Sequence, residues 1–388
     1  MKNHGRTGRF FMSLKHQNQP FRIFKNCFFP ILAAVALFLA LLSSSLPASP
    51  FQPEPPRSVS DPVSNQNPDS SKQKNFIQWV DFDVTAEAMN QALHYDITSY
   101  LSPCHWDWIS LLAFLGARYG GDFSQYQKAD LEQLIQKLQN GSSMEEVTRG
   151  MKYYPYYLEA YTAVLGGLVG EYQIQEPGKP DDSGYSEPVW QSRYGLKAFS
   201  PIARYFPYED YDDFGASRSY GFQRRHLGHD FMGQVGTPII CVESGQVEAI
   251  GWNQYGGWRL GIRSFDKRYY YYAHLRKNYP YHKSLKQGSI VQAGDVIGYL
   301  GRTGYSTEEN TNNIDTPHLH FGLQLIFDES QKDGNNEIWI DCYELARFLS
   351  MNRSETIKNQ ETKEYYRLWQ IKDPAVPGGA KEQNINHS

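Results

Sequence analysis

The sequence predicts an α+β chain in which a small helical domain precedes a mainly antiparallel β domain. Between residues 76 and 175 apolar side chains recur at helical spacing, as in ADLEQLIQKL, where Leu131, Leu134, Ile135 and Leu138 fall at i, i+3, i+4 and i+7. From 195 to 350 the pattern changes to short apolar runs broken by glycines, among them TPIICVESGQVEAIGW, WRLGIRS, YYYYAHL, DVIGYLG and HLHFGLQL, which read as strands of an antiparallel domain. The length, 388 residues, accommodates about two such domains plus irregular segments.

The elements follow in chain order. Residues 1–26 carry Lys2, Arg6, Arg9, Lys15, Arg22 and Lys25 and no acid, and an apolar run starts at Cys27. This asymmetry predicts a cytoplasmic basic N-terminus, a membrane-targeting segment over 27–46 that is either a transmembrane anchor or a signal, and export of the remainder. Residues 47–75, rich in Pro and Ser, read as a linker. In the helical region Asn140-Gly141 stops one helix and Ser143 with Glu146 forms a capping box opening the next. WDWISLLAFLGARYGG and YYLEAYTAVLGGLVGEY are apolar enough to be its core helices. Glu159 and Glu171 show no paired-carboxylate pattern and read as solvated. The segment 351–388 reads as a polar tail whose end, DPAVPGGAKEQNINHS, is expected to be unstructured.

Composition excludes some function classes. A net charge of −4, with no basic stripe, argues against a nucleic-acid partner. Outside the membrane segment Cys104, Cys241 and Cys342 are odd in number and form no C-x-x-C, so a cysteine metal site is not expected and Cys241 reads as a small buried hydrophobe.

The chemistry-bearing residues cluster in the β region. RRHLGHDFMG contains His226 and Asp230, YYAHL contains His274, and DTPHLHFGLQL contains His318 and His320. Alternation along a strand places His318 and His320 on one face and Leu319 and Phe321 on the other. Two histidines and one carboxylate are a frequent catalytic zinc set, and His226, Asp230 and His320 supply it if the 226–230 loop faces that strand. His318 and His274 then stand beside the ion, free to move protons. Each histidine also has a structural or merely exposed reading. His229, adjacent to Asp230, is the rival ligand and is expected to point away; Asp315 reads as a turn residue. In YYYYAHL one of the two alternating tyrosine sets is expected to border the groove or to pack across strands, and Tyr220 and Arg225 are candidates for an oxyanion or carboxylate contact.

These motifs resemble the lysostaphin-type (LytM-like) zinc endopeptidases that cut peptides of bacterial peptidoglycan. The resemblance rests on H-x-G-x-D at His226, Gly228 and Asp230, on GTPIICVESGQVEAIGWNQYGGW, YAHL and VQAGDVIGYLGRTGYST, and on PHLHF. It implies a β-sandwich or hybrid-barrel catalytic domain, one zinc ion on His226, Asp230 and His320, catalytic His274 and His318, and peptidoglycan peptide as substrate. The alternative is a non-catalytic wall-binding or scaffolding module with the same fold. Two features depart from the family pattern: the polar insert EENTNNIDT, expected beside the groove, and the extension FDESQKDGNNEIWIDCYELARFL.

Overall fold

Capping side chains set where three of the described helices begin. α1 (Ala86–Ser99) starts behind Thr85, whose hydroxyl accepts from the Ala88 amide at 3.3 Å, and α2 (Trp108–Tyr119) starts behind Asp107, whose carboxylate accepts from the Ser110 amide at 2.8 Å. Gly120, at φ +65°, ends α2. α3 (Lys128–Gln139) buries the four leucine and isoleucine side chains that its spacing selects. α4 (Met144–Thr148) has the expected capping box, with the Ser143 hydroxyl 3.1 Å from the Glu146 amide and the Glu146 carboxylate 3.0 Å from the Ser143 amide. α5 (Tyr154–Leu165) completes the group. The computed structural model describes residues 80–178, 186–219, 223–266, 268–332 and 336–377, all within one compact unit, Gln73–Ser388. The expected membrane segment at 27–46, the linker and Tyr220 lie outside the described residues; among the described residues no helix is long and apolar enough to cross a membrane.

The helical pattern read through GLVGEY is corrected. α5 stops at Leu165, and Gly166-Gly167 turn the chain into β1 (Val169–Pro177), which pairs with β2 (Pro188–Leu196). The turn needs glycine because a Cβ on Gly167 would overlap the buried Glu243 carboxylate.

The remaining fold is mainly antiparallel β. Short strands come first: β3 (Tyr208–Asp210), β4 (Ser217–Ser219), β5 (Gln223–Arg225), β6 (His229–Gly233) and β7 (Pro238–Ile240). Two long strands, β8 (Gly245–Asn253) and β9 (Gly257–Ser264), form a hairpin, and β10 (Arg268–Ala273), β11 (Ile290–Val291) and β12 (Val296–Tyr299) follow. The HLH strand is β13 (His318–Leu325), and β14 (Ile338–Ile340) precedes α6 (Tyr343–Leu349). An eight-stranded sheet runs β11-β8-β9-β10-β13-β6-β3, with β14 also paired to β13. β7 and β12 form a separate pair whose Ile239 and Ile297 join the same apolar core as Leu319 and Phe321.

Helices and sheet share that core. Trp108 of α2 stacks on Phe348 of α6 at 5.6 Å, and the Ala86 amide donates to Glu344 at 2.6 Å, so the extension after β13 is where the helices dock. A second tie is ionic: Arg268, 1% exposed, forks onto Glu243 at 2.7 and 3.1 Å, donates to the Ala163 carbonyl of α5 at 2.9 Å, and shares Glu243 with the Tyr270 hydroxyl.

The polar tail is folded before residue 373, and Asp373 and Val376, inside the stretch expected to be unstructured, are buried. β15 (Thr356–Lys358) pairs with β16 (Tyr365–Arg367), and β17 (Ile371–Lys372) adds to β1. Arg367 is buried against Asp295 at 3.0 Å and Asp373 pairs with Lys197 at 2.7 Å. Aromatic and apolar residues spaced through a polar stretch hold it down. Cys104, Cys241 and Cys342 are all free thiols, the last two buried.

Replacing Arg268 by alanine would leave Glu243 buried without its cation. The variant is expected to lose about 3–5 kcal/mol in urea denaturation, and an unchanged midpoint would contradict the ionic tie.

Candidate metal centre

Strand alternation builds the first half of the site. In β13 Leu319, Phe321, Leu323 and Leu325 are fully buried, which turns His318 and His320 to the opposite face. β6 pairs with β13 in the register that sets Asp230 directly across from His320, with the carboxylate Oδ1 3.0 Å from His320 Nδ1. His229, one residue earlier, shares the face of Phe231, bonds Asp210 at 3.1 Å and takes no part in the cluster.

The loop before β6 supplies the other half. His226 Nε2 lies 2.8 Å from His320 Nδ1 and 3.0 Å from Asp230 Oδ1. Gly228 permits this approach, since a Cβ there would lie 2.6 Å from His320 Cε1 and 2.7 Å from the Phe321 carbonyl oxygen.

Backbone carbonyls fix the state of the rings. A carbonyl only accepts, so a ring nitrogen facing one carries the hydrogen. His226 Nδ1 faces the Asp213 carbonyl at 3.2 Å, with the Asp213 carboxylate 3.1 Å away; His274 Nδ1 faces the Thr303 carbonyl at 2.9 Å, and His318 Nδ1 faces the Thr316 carbonyl at 2.8 Å. Each neutral ring therefore keeps its Nε2 lone pair. For His226 that lone pair points at a carboxylate and another imidazole nitrogen, an arrangement satisfied only by a proton or a cation. His274 adopts φ +62°, rare for a non-glycine residue, at the end of β10, and its ring lies 4.8 Å from that of His318 and 5.9 Å from that of His320.

Electrostatics separate these groups. Burial works to lower His226, but its bond to Asp230 and the charges of Asp230 and Asp213 outweigh this and hold it above its ordinary value. His274 is driven well below its ordinary value by burial and by the neighbouring His318 and His320. His320 is lowered, mainly by burial, against the pull of Asp230. For Asp230 burial opposes ionisation, yet the bonds from His226 and His320 keep it far below the usual carboxylate range. Arg218 adds a contact to Asp230 at 3.3 Å and pairs with Asp213.

The residues fit a divalent cation. His226, Asp230 and His320 offer three donor atoms within 4.8 Å of one another. Their 2.8–3.0 Å separations are near the edge of about 3.3 Å that bonds of about 2.0–2.1 Å give in a tetrahedron. The five histidine and aspartate residues selected by sequence line a single groove of about 630 Å³. Tyr269 and Tyr271 line it while Tyr270 and Tyr272 are buried, which settles the tyrosine alternation. The exposed Arg225 is on its wall. The insert at 308–316 does not line it: Asn310 instead accepts from the Trp258 indole at 2.9 Å and from the Asn278 amide at 2.8 Å, and Asn313 donates to the Tyr305 carbonyl at 2.6 Å. Asp213 was not selected from sequence, because its position on the far side of His226 is set by the β4–β5 hairpin.

Known proteins share this segment. Residues 224–333 match the model of Peptidase family M23. The chain is 40% identical over 109 residues to the L-Ala--D-Glu endopeptidase of Bacillus subtilis, a match covering 28% of this chain and 32% of that protein. It is 39% identical over 98 residues to lysostaphin of Staphylococcus simulans, covering 25% of this chain and 17% of that protein. The aligned segment thus spans about a third or less of these curated relatives. Among solved structures, a candidate glycyl-glycine endopeptidase, LytM, of Ruminococcus gnavus aligns at 21% identity with TM-score 0.46, over 70% of this chain and 89% of that one.

The tight packing of Gly228 on His320 makes a direct prediction. Gly228→Ala is expected to weaken binding of Zn²⁺ or Co²⁺, measured by equilibrium dialysis on the full chain, about 10–100-fold; equal affinity would show that no ion sits there.

Proposed function

We propose that this chain is a zinc-dependent endopeptidase acting on peptide bonds of bacterial peptidoglycan. The observation that carries the proposal is the convergence of His226 Nε2, Asp230 Oδ1 and His320 Nδ1 on one point, with His274 and His318 beside it in the same groove. The match to Peptidase family M23 and the names of the relatives support the substrate class.

His226, Asp230 and His320 would hold the ion. Zinc suits a donor set of two nitrogens and one carboxylate and, when bound, supplies Lewis acidity that polarises a carbonyl and acidifies water. The protein groups do the rest. His274 is kept neutral by burial, and its Thr303 carbonyl partner leaves Nε2 as a proton acceptor in the groove. His318, whose ring lies 4.8 Å from that of His274 and whose Nε2 lies 3.8 Å from Asp230 Oδ2, is placed to receive at Nε2 the proton that His274 takes up and to pass it to the leaving amine. Tyr271, whose ring lies 5.9 Å from that of His320, forms part of the floor on which an extended peptide would lie.

The basic and then apolar sequence over 1–46 supports a location outside the cytoplasmic membrane, tethered or secreted, where such a substrate is found. The linker at 47–75 would carry the folded unit toward the wall.

Purified cell walls test the reading. His320→Ala and a strong chelator are each expected to abolish the loss of wall turbidity, and His274→Ala to lower its rate about 10²–10⁴-fold. Full activity in either of the first two cases contradicts the zinc assignment, and inert walls with the unaltered protein favour a binding module.

A further inference from the structure

The groove carries more positive charge than its own carboxylates neutralise. Six cationic side chains line it against three carboxylates, Asp230, Glu248 and Glu337. Asp230 belongs to the histidine cluster, Glu248 is held by Arg263 through two bonds of 2.8 and 3.0 Å and by Lys332 at 3.5 Å, and Glu337 accepts from the Trp339 indole at 2.8 Å. Among the described residues no carboxylate lies within ion-pair distance of Arg224, Arg225 or Arg259.

The position of Arg259 is informative. Tyr272 pairs with Leu260 across β10 and β9, so Arg259 stands one residue on, across from Ala273, and Ala273 in turn pairs with His320. Two strand spacings of about 4.8 Å separate the arginine and histidine backbones, about the length of three extended residues. Leu260 is buried, so alternation turns Arg259 to the groove face shared by Tyr271 and His320. Ala273, the residue between, is too small to block the path.

Arg224 reaches the same end. Its guanidinium carbon lies 5.7 Å from the Tyr255 ring and 5.2 Å from the Tyr305 ring, it donates to the Tyr305 hydroxyl, and its Nε is buried without a hydrogen-bond partner. The Tyr271 hydroxyl lies over Gly256, the residue after Tyr255. Burial raises Tyr271, while a bond from Asn253 and the charges of Arg259 and Arg224 pull the other way.

We propose that Arg259, with Arg224 near the same Tyr271 hydroxyl, forms a carboxylate-reading subsite, so that the preferred substrate is an acidic peptide whose free carboxylate lies within about three residues of the bond cut. This rests on the endopeptidase reading above and narrows its substrate class. A guanidinium presents a planar pair of N–H donors that matches the two oxygens of a carboxylate, whereas a carboxamide offers one acceptor and no charge. Neutral peptides would gain nothing from these arginines. The two walls of the groove thus divide the work, histidines and aspartate at the scissile bond and arginines on an anionic neighbour.

Two synthetic peptides built around an L-Ala–D-Glu bond, identical except that the free glutamate carboxylate is a carboxamide in one, test the subsite. Binding to the full chain is measured by calorimetry with chelator present, so that nothing is cut, and cleavage by mass spectrometry with zinc present. The carboxylate peptide is expected to bind about ten- to hundredfold more tightly. Arg259→Gln is expected to bring the two peptides to the same affinity and Arg259→Lys to keep part of the difference, with circular dichroism showing both variants folded. Equal or absent binding of the two peptides by the unaltered chain, or an undiminished preference in Arg259→Gln, overturns the subsite. An Arg259-dependent preference without cleavage of either peptide counts against the endopeptidase and not the subsite; cleavage of both at equal rates does the reverse.

Discussion

The chemistry of this protein depends on the register of two antiparallel strands. His320 on β13 lies directly across from Asp230 on β6, and that one pairing brings a carboxylate within 3.0 Å of an imidazole nitrogen in the floor of a groove. A slip of one residue would turn His318 and His320 into the core and Leu319 and Phe321 into solvent, at a cost of several buried apolar side chains. The apolar face of β13 therefore enforces the polar one. Packing selects the register, and the register assembles the cluster.

The rest of the fold keeps that strand pair in place and the cluster in one state. Arg268 and Glu243 join β10 to the end of α5, and α6 receives α2 through Trp108 and Phe348. β10 is the strand between β13 and the arginine-bearing β9, so the helices bear on the groove through it. At shorter range, the carbonyls of Asp213, Thr303 and Thr316 each hold one ring tautomer. The left-handed backbone of His274 is tolerated where β10 ends and its Nδ1 is tied down, a local strain supported by the surrounding sheet.

How much of this was legible in the sequence varied with how local the signal was. Alternation alone separates the two faces of HLHFGLQL and of YYYYAHL, because a period of two survives any tertiary context that keeps the strand. The capping box at Ser143 and Glu146 is equally local. β1 was hidden because GLVGEY continues the apolar character of α5, and only the lack of room beside Glu243, a residue 76 positions beyond Gly167, forces the break. The C-terminal strands were hidden by polar neighbours: Arg367 is buried by an ion pair, which composition reads as exposure. Arg259 takes its meaning only from the sheet order, which places it two strands from His320. The polar insert at 308–316 was expected beside the groove; it touches the lining residue Tyr305 through Asn313 and otherwise packs on Trp258 and Asn278. Spacing reveals a loop's presence and not the surface it returns to.

Anomalous diffraction at the zinc edge from crystals of the full chain grown with equimolar zinc tests the central claim most directly. The account predicts one ion per chain, bonded to His226 through Nε2, to His320 through Nδ1 and to an Asp230 oxygen, with His274 and His318 outside bonding distance. An ion held instead by His229 and Asp210, or an Asp230 carboxylate turned away from a bound metal, would contradict it.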